Sequence, residues 1–206
     1  MEELDLLKKD WNKENPYPQL QEADIYKMLH KKSSSIVKWI LIISILEVSL
    51  WTVISFCFNS DEYLINNHSE FMIPYFQALT VVNFIVTGVF IYLFYNNYRT
   101  ISASNATKKL MADIVRTRRT VKYYVGYNLG ILVLSIISGF VMAIMVNPTI
   151  AHDLEHNTRI MVITIVVMIV FLLIFFAIAA LFYYLIYGTL MKRLYRNYKE
   201  LKKIDL

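Results

Sequence analysis

Four stretches of the chain run almost free of charge: residues 36–58, 74–95, 122–146 and 160–187. The first carries only Lys38 and Glu47, the third opens on Lys122, and the second and fourth carry no charge at all. A helix of about 20 apolar residues crosses the hydrocarbon core of a bilayer. The pattern therefore predicts an all-α polytopic membrane protein with four transmembrane helices in two hairpins. Polar sequence frames them: a tail over 1–33, a loop over 96–121 and a basic C-terminal helix over 188–206. The bundle proper is expected over 34–187. The first stretch follows more than thirty mostly polar residues and lacks a small-residue cleavage pattern, so it reads as a retained span.

Composition agrees with this reading. Of 206 residues, 57% are hydrophobic and 18% charged, with 5 Gly and 4 Pro, too few charges and turn formers for a soluble domain of this length. The lone Cys57 leaves redox compartment open.

Charge then sets orientation. Twenty of the 21 cations fall in the tail, at Lys38, in the middle loop, at Lys122 or in the C-terminal segment. The other two loops hold Arg159 alone and carry acids instead. The positive-inside rule places both termini and the middle loop in the cytoplasm. A basic rim also suits nucleic acid. These cations flank spans, so they read as topology signals facing anionic headgroups, with no direct nucleic-acid partner.

Words recur. "YNNYRTI" at 95–101 and "YRNYKEL" at 195–201 share one pattern, and each follows a span. "ADIYK" at 23–27 and "ADIVR" at 112–116 both precede one. The repeat is either a parallel duplication or a set of chance matches. Either way Tyr95, Tyr98, Tyr195 and Tyr198 suit the headgroup level. Tyr187, Leu194 and Leu201 are seven apart, as are Met191 and Tyr198, a short heptad-like seam. It fits packing on the middle loop or on a second subunit, so a homo-oligomer is possible but not required. In the middle loop Leu110, Ile114, Val121 and Val125 recur at helical spacing, with Ser102, Ser104 or Asn105 as candidate caps. Spans two and three are thus expected to project as a helical hairpin.

The tail carries two amphipathic patterns, Leu4, Leu7 and Trp11 before "NPYP" at 15–18, then Ile25, Met28 and Leu29. "SSS" at 33–35 is expected to separate it from the membrane. These faces can pack on the bundle, lie in the lipid interface or dock in a groove of a soluble partner with Trp11 as anchor.

Within the spans, Glu47 and Asn83 count to matching depth, and Asn128 lies nearer the cytoplasmic end of the third. An intramembrane acid is a functional candidate. A Glu47–Asn83 hydrogen bond would satisfy both groups, with desolvation favouring the neutral carboxyl. A proton or ion path is the alternative, weakened because the spans hold no second acid and no His. "HDLEH" at 152–156 admits a drawn zinc site, but its spacing is weak. The chain has no nucleophile–base pair, phosphate-cradling Gly loop or CxxC, hence no catalytic, cofactor or metal expectation.

"LDLLKKDWNK" at 4–13, "DIYKMLHKKSSSIVKWI" at 24–40 and "RLYRNYKELKK" at 193–203 together resemble a group of small tetraspan inner-membrane proteins of Bacteroidota. Members are often encoded beside alternative sigma factors, and some carry a carotenoid-cleavage label. The resemblance implies a membrane-bound anti-sigma or related regulatory role. The enzyme label conflicts with the histidines, because His30 lies on the side opposite His68, His152 and His156. The tail also lacks the His and Cys pattern of zinc-binding anti-sigma domains. The expectation is a non-enzymatic regulatory or scaffold protein that binds the lipid bilayer and a cytoplasmic protein, a sigma factor among the candidates. The alternative is a small transporter or ion-conducting protein using Glu47.

Overall fold

A computed structural model describes residues 22–57, 60–66, 69–104 and 106–204. Every regular element among them is helical. In order these are α1 (Glu22–Cys57), α2 (Ser60–Asn66), a 3₁₀ turn (Glu70–Met72), α3 (Ile73–Ser102), α4 (Thr107–Val146), α5 (Pro148–His156), α6 (Thr158–Tyr183), one π-helical turn (Tyr184–Gly188) and α7 (Thr189–Ile204). Four stretches are long and apolar enough to cross a membrane: Glu22–Ser55, Glu70–Ser102, Thr107–Val146 and Thr158–Lys203. The chain is an all-α, multi-pass membrane protein.

The helices overrun their apolar stretches. At 1.5 Å per residue the 40 residues of α4 reach about 60 Å, twice a hydrocarbon core of about 30 Å. The overrun lies at one end, the basic end. There α1, α3, α4 and α7 share a core of Leu29, Val37, Ile101, Leu110, Ile114, Leu194 and Leu201. A second cluster sits one layer further in, with Ile40, Phe94, Val121, Tyr124, Tyr183 and Tyr187. The acidic half is looser. The most apolar stretch of α6 has no buried residue, and Leu173 and Ile178 are more than half exposed. Such faces suit lipid, where apolar exposure carries no penalty.

Two local expectations are corrected. First, "SSS" is not a break. α1 runs through it, because Ser33 is buried and accepts a hydrogen bond from Asn197 Nδ2 at 3.1 Å, so a boundary at 33/34 divides a single helix. Second, α4 is not capped by Ser102 or Ser104. Its N-cap is Ala106 in extended conformation, without a side-chain cap, and Asn105 lies outside the described residues. Ser104 serves instead through its carbonyl, which accepts from Tyr26 Oη at 3.0 Å. The C-terminal helix continues the fourth span, as the seam from Tyr187 to Leu201 implies. α6 passes through the π turn straight into α7.

The heptad seam packs within the chain. Tyr187, Leu194 and Leu201 are buried, and Met191 and Tyr198 lie against the same core. At the acidic end, Asn157 caps α6 by accepting from the amides of Arg159 and Ile160, and Asn147 Oδ1 accepts from the amides of Thr149 and Ile150 in α5.

Candidate functional site

The one acid within the apolar spans sits at a convergence of three tyrosines. Tyr124 of α4 donates to Glu47 Oε2 at 2.8 Å. Tyr187 of the π turn donates to the same oxygen at 3.2 Å. Tyr183, at the end of α6, donates to Oε1. The tyrosine rings also hold one another. Tyr183 and Tyr187 stack with centroids 5.9 Å apart, and Tyr124 meets Tyr187 edge-on at 5.7 Å. Phe90 and Phe94 pack edge-on against Tyr124. Glu47 thus joins α1, α4 and the junction of α6 with α7 at one point. The π turn contributes to this, since a wide turn inside an α-helix re-aims side chains and recurs at functional sites.

The expected Glu47–Asn83 bond is not made. Asn83 Oδ1 instead accepts from Tyr127 Oη at 3.1 Å, while Asn128 Nδ2 donates to the carbonyl of Tyr124 at 3.0 Å. The reason is stagger. Counting from the ends of the apolar stretches puts Glu47 mid-span, yet its partners stand at the third residue of the third stretch and the last of the fourth. Helices that overrun their apolar windows do not share a zero of depth.

The three intramembrane polar residues do meet at one cavity. It has a volume of about 340 Å³ and is lined by Glu47, Asn83, Asn128 and Tyr124 among its polar groups, and by Trp51, Phe76 and Phe84 among its aromatics. It lies between α1, α3 and α4 on the acidic side of the tyrosine cluster. No cation lines it.

Of the expected partner-binding residues, Leu4, Leu7 and Trp11 lie outside the described residues. Leu29 is buried in the basic-end core, Ile25 packs against it, and Met28 is 43% exposed. Ile25 and Leu29 are therefore committed within the chain, and only Met28 of that trio presents a free face. Tyr26 and His30 fasten the same stretch to the end of α3, His30 donating from Nε2 to the carbonyl of Ile101 at 2.8 Å. That satisfies a carbonyl at a helix end, where intrahelical partners run out.

His152 and His156 approach with ring centroids 4.2 Å apart. Among the described residues no three His, Cys, Asp or Glu side chains come together as a metal site.

Sequence reasoning missed Tyr124 and Tyr183, and found Tyr187 only as part of the heptad seam and not as a partner of Glu47. The available signal was the tyrosine group that closes the fourth stretch, in which Tyr183 and Tyr187 are four apart and so share one helix face.

Residues 23–206 match the family described as a domain of unknown function (DUF8845). The chain belongs to that family. No curated protein and no solved structure matches it.

Proposed function

We propose that the chain is a non-enzymatic regulatory or scaffold protein of a bacterial inner membrane, with both termini cytoplasmic, that holds a soluble protein at its basic end. The observation that carries this reading is the extension of α1, α3, α4 and α7 beyond their apolar stretches into a packed unit with its own core. Simple membrane crossing does not require such a unit. Its surface is strongly basic: α7 alone bears Lys192, Arg193, Arg196, Lys199, Lys202 and Lys203. Residues 1–21, with Leu4, Leu7 and Trp11, join it at Glu22. A depression of about 560 Å³ lined by Glu22, Tyr26, Lys27 and His30 adjoins that point. The sequence resemblance makes a sigma factor the partner to test first.

The experiment compares full-length protein with a variant lacking residues 1–21 as baits, followed by reconstitution with the purified candidate. The deletion stops at 21 because Ile25 and Leu29 belong to the bundle core. A partner retained by the full chain and lost with the tail is the expected result. Equal recovery by both baits, or none by either, sinks the tail as the dock.

The cavity beside Glu47 favours a second reading, passage of a small cation. A flux assay in vesicles, native against Glu47→Gln, tests it.

A further inference from the structure

We infer that the cavity between α1, α3 and α4 binds a primary ammonium group carried on an apolar body, with Glu47 as its counter-ion. The inference is independent of partner docking and of passage across the membrane.

Charge is the first ground. Among the described residues Glu47 has three partners, and all are neutral hydroxyls. An ionised carboxylate offers about four lone-pair positions, so three donors leave room for one more. A carboxylate within an apolar span is stabilised far more by a cation than by hydroxyls alone, and intramembrane acids are found paired or facing a polar cavity. This one faces the cavity, and among the described residues that line it none is a Lys, Arg or His.

Shape and lining are the second ground. A volume of about 340 Å³ falls at the small end of ligand sites and far exceeds a bare metal ion. The lining combines oxygen and amide groups from Asn83, Asn128, Thr80 and Ser135 with the rings of Trp51, Phe76 and Phe84, which suit an apolar body and favour a cation over their faces. It thus offers partners both for a charged head and for an apolar tail.

Rigidity is the third. Glu47 is fixed by hydroxyls from two other helical segments, and its neighbour Tyr124 is wedged by Phe90 and Phe94. Such a carboxylate is held in place before any ligand arrives, which lowers the ordering cost of binding.

The ammonium can come from a free amine or from the headgroup of phosphatidylethanolamine. The test uses n-hexylammonium on full-length protein in mild detergent. Trp11→Phe and Trp39→Phe leave Trp51 as the sole indole reporter. Hexylammonium is expected to give a saturable fluorescence change, n-hexanol none, and Glu47→Gln at least a tenfold weaker midpoint. Asn83→Phe, which fills the cavity without replacing Glu47, is expected to abolish the response while retaining the native melting transition. It keeps the test valid should Glu47→Gln fold poorly. Nanodiscs of phosphatidylglycerol with and without phosphatidylethanolamine then separate the sources. A weaker hexylammonium midpoint only with phosphatidylethanolamine assigns the site to the lipid headgroup, and equal midpoints assign it to a free amine. Hexanol saturating as tightly as hexylammonium, or an unchanged midpoint in either folded variant, overturns the inference.

Discussion

Asn97 and Asn197 hold the same place in two copies of one seven-residue pattern, and each clasps the inbound helix of the other hairpin. Asn97 Nδ2 donates to Thr120 Oγ1 at 3.3 Å, and Asn197 Nδ2 donates to Ser33 Oγ at 3.1 Å. Both asparagines are buried. The last apolar residues of the two copies, Ile101 and Leu201, enter one core, which Ile114 shares and Ile25 packs against. The repeated words are thus the parts of one clasp that closes the basic end.

Breaking the clasp should loosen that end. Asn197→Leu leaves the Ser33 hydroxyl without its partner in a buried site. The expected loss is about 1–3 kcal/mol, the scale of an unsatisfied buried polar group. Thermal unfolding in mild detergent reads it. Hydrogen exchange over 189–204 should quicken while the four spans keep their protection. A variant as stable as the native chain would show the bond to be incidental.

Leu29 and Met28 separate core from free face. Leu29 is 3% exposed and Met28 43%. Leu29→Ala should lower stability by about 2–5 kcal/mol, the usual range for a large apolar side chain removed from a core. Met28→Ala should shift it by less than about 0.5 kcal/mol, as surface changes do. Equal effects of the two changes would contradict the packing of α1 at the basic end.

Glu47 should be structurally replaceable by an acceptor but not by a hydrocarbon. Glu47→Gln keeps an amide oxygen for the tyrosine hydroxyls. Glu47→Leu leaves three of them without an acceptor and should cost about 1–3 kcal/mol more than the Gln variant. Tyr183→Phe in the Leu background should recover part of that difference, since removing both partners of a bond is milder than removing one. A double-mutant comparison of melting in detergent checks this. Additive losses would mean that the two side chains do not interact.

The fold was legible because lipid leaves few options. Uncharged stretches of bilayer length must be helices, and 20 of the 21 cations sorted themselves onto one end. The core seam of α7 was also legible, as Tyr187, Leu194 and Leu201 at sevenfold spacing. What the seam packs on was not, because heptad spacing says nothing of the partner surface. The site was half legible. Glu47, Asn83 and Asn128 were found as costly polar groups in apolar surroundings, and they line one cavity. Their bonds were misread because depth was counted along each span separately. The serine run 33–35 misled for a related reason. Serines suggest a linker, but Ser33 pairs with an asparagine 164 residues away, and no local rule sees that.

The orientation expected from charge is the most direct to check. Cys57 is the chain's only cysteine, is exposed, and ends α1 on the acidic side. The cations cluster at the opposite end, where a cytoplasmic placement is favoured. A membrane-impermeant maleimide should therefore label Cys57 in cells whose outer membrane alone has been made permeable. In a Cys57→Ala background, Lys203→Cys should stay unlabelled until the inner membrane is opened. Lys203 suits the purpose, being exposed at the far end of α7. Each site controls for the other, since a dead reagent or a leaky membrane would affect both alike. Labelling in the reverse order would put the basic end outside, and with it the proposed dock, leaving a cytoplasmic partner without a surface to meet.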